Sequence, residues 1–243
     1  GQSEEESGGP AWKDDAKEVP DWLPNLACPS PGRPSIDCTN YKPVDYFLTT
    51  FPIEMINLIV NETNRYFDQW WQQKEDNATN TSADIVASSK RAKACWEPVT
   101  EAEIKAFLAL MITIGNDKRP RYKSYWSTEW LISMEGFRSV MSRDRFMSIL
   151  RFLHIVDNTK AIAKGEPGYD RCFKIRAMLD ILIPKWQSVF HIDKCTSVDE
   201  CMIAFKGRIY MKQYMPKKPI KWGLKGWVLA GSNTGFVYNW QLY

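Results

Sequence analysis

The chain has 243 residues and a formal net charge of +3, with hydrophobic and charged contents of 44% and 25% that are ordinary for a globular protein. This length predicts one large domain or two modest ones. The chain has no apolar run near the roughly 18 residues that a membrane span needs and no apolar signal core, so we expect a soluble, non-secreted protein without a membrane partner.

The two ends of the chain carry opposite charge. Residues 1–40 are rich in Pro, Gly and Ser and hold eight Asp or Glu against three Lys or Arg. Such a segment cannot bury enough apolar surface to offset its ordering entropy, so we predict a mostly disordered tail. Residues 200–243 hold seven Lys or Arg and a single acid, Glu200. This basic end indicates a nucleic-acid partner, with a solvated basic face as the alternative.

The sequence pattern of residues 41–190 predicts five or six helices. Pro52 stands at a plausible first helical position, and apolar residues then recur at helical spacing from Ile56 to Trp70. The polar stretch 75–93 predicts a long exposed connection. Thr100 and Glu103 form a capping box that starts the next helix.

Three further helices are predicted before residue 190. Ser127 or Thr128 is a candidate cap for a short helix, and Ser142 for the next one, whose apolar face includes Phe146 and Ile149. Apolar spacing over 175–186 predicts the last helix, with a kink or a new turn at Pro184.

The periodicity changes after residue 190. Residues 196–202 fit a strand, and the segments 227–230 and 236–243 flank a Gly-bounded turn that predicts a hairpin. One strand followed by an antiparallel pair is typical of the start of a sheet. Because a finished domain seldom stops on an apolar strand, we expect this sequence to be truncated.

The cysteines give no sign of a metal site. None of the six forms a Cys-x-x-Cys pair, and only His154 and His191 could assist them, so a structural zinc site is not expected. In a chain of this size without a signal peptide, reduced thiols are favoured over disulfides.

Asp199 and Glu200 stand at the first predicted strand. Because strand side chains alternate between faces, only one of the two acids can point into a given site. Two-metal phosphoryl transfer needs several carboxylates, so one acid cannot build such a site alone. From the residues alone, a solvated acid is the more common role for Asp199.

A basic run follows the acids. Its six cations could each neutralise a DNA phosphate: Lys206, Arg208, Lys212, Lys217, Lys218 and Lys221. Pro216 and Pro219 should hold the run extended. Tyr214 and Trp222 could stack on bases, but we favour packing in the core. Four arginines of the helical region are weaker candidates for DNA contact: Arg119, Arg121, Arg143 and Arg145.

Several blocks of the sequence resemble piggyBac-type transposases. The resemblance is carried by Ser197-Val-Asp-Glu200, by Phe205-Lys-Gly-Arg208 and by Gln213-Tyr-Met-Pro216. Earlier and later blocks in the same order add to it: Tyr125-Trp-Ser-Thr128, Met141-Ser-Arg-Asp-Arg-Phe146, Leu150-Arg-Phe-Leu-His154, Tyr169-Asp-Arg171 and Gly235-Phe-Val-Tyr-Asn239. The sequence departs from the family at Ala204, where Pro is frequent, and at Gly226, which interrupts an apolar strand pattern.

The resemblance implies an α+β fold. Residues 41–190 would form a mainly α-helical dimerisation and DNA-binding domain, after the tail 1–40. Residues 191–243 would form the first strands of an RNase H-like catalytic domain that is incomplete here. By the resemblance, Asp199 is the first catalytic and metal-binding carboxylate, and the later acids lie beyond Tyr243, so the chain alone should be inactive.

The resemblance also implies the partners and the chemistry. These are Mg²⁺, double-stranded DNA with a TTAA target, a homodimer, a nuclear location, and cut-and-paste strand cleavage and transfer. Two alternatives stay open: a domesticated, catalytically silent DNA-binding or chromatin-associated protein, and a protein-interaction module that uses the helical domain only to dimerise.

Overall fold

The computed structural model describes residues 32–77, 87, 90, 93–192 and 195–242. Residues 1–31 of the predicted tail and most of the predicted connection 75–93 lie outside this part of the chain. The described elements include six α-helices: α1 (Pro43–Thr50), α2 (Ile53–Asp76), α3 (Glu101–Asn116), α4 (Glu135–Val140), α5 (Arg143–Phe152) and α6 (Phe173–Val189). The strands are β1 (Arg33–Pro34), β2 (Phe190–His191), β3 (Thr196–Ala204), β4 (Lys212–Tyr214), β5 (Trp222–Gly231) and β6 (Val237–Leu242).

The predicted start signals hold for three of the helices. Pro52 is the residue that precedes α2, and the Thr100–Glu103 capping box opens α3. The Ser142 hydroxyl accepts a hydrogen bond from the Arg145 backbone N–H at the start of α5. These caps satisfy backbone donors that a helix start leaves unpaired.

One detail of the helix prediction is wrong. Ser127 and Thr128 cap no helix, because they follow a 3₁₀ turn at Tyr122–Trp126 and α4 begins only at Glu135. Ser127 instead accepts the Glu129 backbone N–H in a local turn. Residues 32–40 of the predicted tail include β1, which pairs antiparallel with β2, so this short segment is tied to the end of α6.

One hydrophobic core joins α2, α3, α5 and α6. Its centre is aromatic, with the Phe107 and Phe146 rings 4.9 Å apart and both side chains almost fully buried. Ile56, Ile59 and Leu182 complete it from α2 and α6. The helical spacing that predicted these elements is therefore the spacing of their buried faces.

Arg145 clamps α5 onto α3. Its guanidinium donates to both carboxylate oxygens of Glu103, at 2.7 and 2.9 Å, and also to the carbonyl of Glu97 at 2.8 Å. It lies 5.3 Å from the centre of the Trp96 ring. The hydrogen bond from Arg145 is the main cause that holds the pKa of Glu103 below its ordinary value of 4.5.

We expect Glu103→Gln to lower the free energy of unfolding by about 1 kcal/mol near pH 7, because a charge-assisted bidentate pair is lost. A lowered folded-state pKa stabilises the protein above pH 4.5, and this stabilisation is lost as the pH falls through the lowered value. The difference between variant and wild type should therefore shrink in acid, as measured by urea unfolding at several pH values. Glu101→Gln is the matched control, since Glu101 pairs with Lys105 on an exposed helix surface and should change stability by less than about 0.5 kcal/mol. Equal effects of the two substitutions would contradict the clamp.

The second sheet is antiparallel and is centred on β5, which pairs with β3, β4 and β6. β3 pairs with β5 along its whole length, from Thr196 opposite Gly231 to Ala204 opposite Gly223. β6 pairs with the other edge of β5 and β4 pairs with the start of that same edge. The predicted strand and hairpin are therefore confirmed, although β5 begins five residues earlier than the predicted segment 227–230. Strand β6 contacts α6, which attaches the sheet to the helices.

Gly226 does not interrupt the strand. A Cβ at this position would lie 2.6 Å from the indole nitrogen of Trp240, which crosses the sheet to donate a hydrogen bond to the Cys201 sulfur at 3.1 Å. The missing side chain in the apolar pattern thus makes room for a large ring.

The structure is a mixed helix and sheet fold, as predicted at the level of α+β. Within the described ranges, no helix is both long enough and apolar enough to cross a membrane.

Candidate nucleic-acid interface

Asp199 lies in the middle of β3 with its side chain exposed to solvent. It is opposite Val228 of β5. Its carboxylate accepts a hydrogen bond from the Glu200 backbone N–H at 2.6 Å. Within the described ranges the Asp199 carboxylate forms no ion pair and no further hydrogen bond. This is expected of a side chain that is free to bind a ligand.

Glu200 points to the opposite face of the sheet, as strand alternation requires. Its carboxylate lies 2.5 Å from the ammonium of Lys225, and its backbone carbonyl accepts from Lys218 at 3.5 Å. Among the described residues there is no group of three or more His, Cys, Asp or Glu side chains that could hold a metal ion. Asp199 can thus contribute one hard oxygen ligand but does not form a metal site by itself.

The six predicted cations lie in one stretch, residues 206–221, which we call the cationic segment. It runs from the end of β3 through β4 to the start of β5. Four of the side chains are exposed, and we call them the four exposed cations: Lys206, Arg208, Lys217 and Lys221. Lys212 and Lys218 are half-buried and donate to the carbonyls of Gly207 and Glu200. None of the six pairs with a carboxylate in the part of the chain that is described.

The second half of the cationic segment is a tight turn. The Met215 N–H donates to the Lys221 carbonyl at 2.8 Å, and the Lys218 N–H donates to the Met215 carbonyl at 3.2 Å. The prediction that Pro216 and Pro219 hold this run extended is therefore wrong. The turn places Lys217 and Lys221 at the tip of a hairpin formed by β4 and β5.

Tyr214 and Trp222 are exposed, with 51% and 54% of their surface accessible. The prediction that they pack in the core is wrong. They are opposite each other across β4 and β5, with ring centres 4.7 Å apart, and the Lys212 ammonium lies 5.4 Å from the centre of the Trp222 ring. The antiparallel register places this pair on the same sheet face as Asp199.

Asp199 and the cationic segment are neighbours on the sheet but not in contact. Asp199 is opposite Val228, whereas Lys212 is opposite Leu224, which faces Ile203 on the other side of β5. Four residues along the strand correspond to about 13 Å, and two strand spacings add roughly 10 Å sideways, so the two positions are about 16 Å apart. This is a distance that a bound duplex spans over a few phosphates.

The helical arginines are poorer candidates than the cationic segment. Arg145 is held by Glu103, and Arg119 donates to the carbonyls of Ser124 and Ile132. Arg143 pairs with Asp144 at 2.8 Å, whereas Arg121 is exposed.

A second group of residues near the segment was not assigned from the sequence. Tyr169 shares a hydrogen bond with Tyr210, and Lys164 and Arg171 lie beside the Tyr210 ring. The only signal was the Tyr169-Asp-Arg171 block, which carried a resemblance but no role. Its contact with residue 210 spans about 40 positions in sequence, a separation that local patterns do not reveal.

Comparisons with known proteins agree with one another. A family described as Transposase IS4 matches residues 42–243. The human PiggyBac transposable element-derived protein 2 is 29% identical over 197 residues, which cover 81% of this chain and 28% of that protein. The human PiggyBac transposable element-derived protein 3 is 30% identical over 145 residues, which cover 60% of this chain and 23% of that protein.

A solved structure has the same fold. It is a piggyBac transposase in a synaptic complex with hairpin DNA, determined by cryo-EM, with a TM-score of 0.68 and 26% identity. The match covers 88% of this chain and 41% of that one. The chain thus spans about a quarter of the length of these two human relatives and less than half of the solved transposase.

Proposed function

This chain belongs to the piggyBac-type transposase family, and we propose that it binds double-stranded DNA through its cationic segment. We propose that this binding positions the DNA for metal-dependent strand cleavage and transfer. One observation supports the proposal most strongly. The four exposed cations have no described carboxylate partner, and they lie at one end of the sheet that exposes Asp199. The DNA in the related synaptic complex supports it.

The physical argument for duplex DNA is electrostatic. Each lysine or arginine that neutralises a phosphate releases condensed counterions, and it adds about 0.9 to the slope of log affinity against log salt. Contacts of this kind position a duplex without reading its sequence. The exposed pair Tyr214 and Trp222 adds aromatic surface beside these charges.

Binding of the chain to a fluorescent duplex, measured by anisotropy between 50 and 200 mM salt, tests the proposal. Four contacts predict a slope of about −3.6, and six predict about −5.4. A duplex affinity that does not depend on salt, or no binding at low salt, would overturn the DNA-binding function.

We propose the same domain organisation that the resemblance implied. Residues 41–190 form the dimerisation and DNA-binding domain, and 191–243 begin an RNase H-like domain, a proposal that the antiparallel order of β3, β5 and β6 supports. Trp130 and Leu131, 83% and 75% exposed, give the helical part an apolar surface that fits a homodimer. A nuclear location follows from the proposed DNA partner.

Asp199 is proposed as the first catalytic carboxylate. Its exposed oxygens are the hard ligands that Mg²⁺ prefers, and the ion would polarise the phosphodiester and stabilise developing charge on oxygen. Further carboxylates are required, and we propose that sequence outside this chain supplies them, since the relatives are several times longer.

We expect Asp199→Ala to change the free energy of unfolding by no more than about 0.5 kcal/mol, because the acid is exposed and, within the described ranges, its carboxylate is bonded only to its neighbour. Duplex binding should be retained. In a longer protein that contains this chain, the same substitution should abolish metal-dependent cleavage of a transposon end. Equal cleavage with and without Asp199 would remove the catalytic role, and a large loss of stability would show that the acid is structural.

A second candidate function is DNA binding without cleavage, as in a domesticated transposase. It is favoured by Glu200, whose carboxylate is committed to Lys225 rather than directed to the face of Asp199. The Asp199→Ala experiment separates the two functions, because a silent protein binds duplex DNA but shows no metal-dependent cleavage before or after the substitution.

A further inference from the structure

A loop before α6 reaches the cationic segment through two tyrosines. The hydroxyl oxygens of Tyr169 and Tyr210 lie 2.7 Å apart and share a hydrogen bond. Tyr210 lies between Arg208 and Lys212 in the cationic segment. The bond therefore ties a loop of the helical part to the part of the sheet that carries the proposed DNA contacts.

Two cations of this loop surround the Tyr210 ring. The Lys164 ammonium lies 5.8 Å from the ring centre and the Arg171 guanidinium carbon lies 6.0 Å from it. Both side chains are exposed, and neither pairs with a carboxylate within the described ranges. The Tyr210 ring attracts both cations, and this attraction offsets part of the repulsion between the two positive charges.

The acid that precedes Arg171 in the sequence does not neutralise these charges. The Asp170 carboxylate accepts from Arg176 at 2.7 and 3.0 Å, and this bond lowers the pKa of Asp170. Asp170 is thus fully committed to another cation. Lys164 and Arg171 are left to face solvent.

The two tyrosines and the two cations line a cavity of about 830 Å³. Trp227 and Leu242 contribute apolar wall from the sheet, and Asp180 of α6 contributes a second carboxylate. The loop residues Lys164 and Arg171 and Tyr210 of the cationic segment are all part of its lining. This cavity is large enough for a sugar–phosphate stretch rather than for a single small anion.

We propose that Lys164 and Arg171 form a second phosphate-contacting strip for duplex DNA, aligned with the cationic segment by the Tyr169–Tyr210 hydrogen bond. The DNA backbone passes from Arg208 and Lys212 across Tyr210 to the loop. Tyr210 is a positioning residue, because its hydroxyl holds the two strips together and its ring orients both cations. This inference rests on the proposed DNA-binding function.

The test compares duplex binding of wild type with Lys164→Gln/Arg171→Gln and with Tyr210→Phe. Loss of two phosphate contacts should reduce the salt slope by about 1.8, which corresponds to about sixtyfold weaker binding at 0.1 M salt. Tyr210→Phe keeps the ring and both cations but removes the shared hydrogen bond, so it should weaken binding severalfold and leave most of the salt slope. Lys42→Gln/Lys118→Gln is the control, because it removes the same charge at exposed positions with no contact to Tyr210.

The outcomes separate this inference from the proposal that it rests on. Failure of the wild-type chain to bind duplex DNA would overturn both. Wild-type binding with an unchanged slope in Lys164→Gln/Arg171→Gln would overturn the second strip alone. An equal loss in the control double variant would also overturn it, since the effect would then come from net charge. A preference of the loop for single-stranded RNA over duplex DNA would assign the strip to a different ligand.

Discussion

Replacement of the four exposed cations by glutamine is expected to weaken duplex binding about four-thousandfold at 0.1 M salt and to reduce the salt slope by about 3.6. Each of these side chains is exposed, and no described carboxylate competes for it. Their full charge is therefore available to phosphates. The measurement is fluorescence anisotropy with a fixed duplex across a salt series.

Two controls make the result specific. A charge-conserving set, with arginine in place of each lysine and lysine in place of Arg208, should retain most of the salt slope, because point-charge contacts with phosphate tolerate either cation. Lys42→Gln/Lys118→Gln tests for an effect of net charge alone. If the glutamine set binds with the wild-type slope, the cationic segment is not the DNA surface.

The glutamine set should leave the fold intact. Surface substitutions away from special features change stability by about 0.5 kcal/mol or less, and the four side chains make no described ion pair. Near-native unfolding transitions in the variant would show that the loss of binding comes from lost charge. Lys212 and Lys218 are kept because their ammonium groups donate to the backbone carbonyls of Gly207 and Glu200.

Local patterns predicted most of the helical part. The Thr100 capping box and the Ser142 cap depend on residues three positions apart, and the buried faces of α2 and α5 repeat at helical spacing. Each of these signals lies within one to a few helical turns of the sequence. The hairpin of β5 and β6 was equally local, because it needs only two strand-like runs and a short turn.

The candidate site depended on information that is not local. Tyr214 and Trp222 were expected in the core because aromatic residues usually are buried. They are exposed because β4 pairs only with the first residues of β5, which places both rings at the sheet's end. The proposed role of Asp199 also cannot be predicted from local patterns, since an exposed strand acid looks the same whether it binds a metal or water.

Gly223 is a further residue whose role depends on non-local contacts, because the neighbouring strand leaves no room for a side chain there. Gly223 is the second residue of β5 and is opposite Ala204, next to the hairpin of β4 and β5. A Cβ at this position would overlap the backbone carbonyl of Ile203 and lie 2.9 Å from its carbon atom. The residues around position 223 do not predict this contact. It arises only when β3 is placed against β5.

We therefore expect Gly223→Ala to lower the free energy of unfolding by about 3 kcal/mol, at the upper end of overpacking costs. The collision is with backbone, which cannot rotate away as a side-chain tip can, so β3 and β5 must separate. The β4–β5 hairpin would shift with them, and duplex affinity should fall in the same variant. Urea unfolding followed by circular dichroism measures the first effect, and anisotropy measures the second.

Gly115→Ala is the matched control for this substitution. Gly115 lies near the end of α3, and a Cβ there would meet no atom within 4 Å. Because alanine favours a helix over glycine, the change should raise stability by up to about 1 kcal/mol. The same chemical substitution is thus expected to act with opposite sign at the two positions. A neutral or stabilising Gly223→Ala would mean that the two strands do not approach as closely as their pairing requires, and that the hairpin is not held against β3.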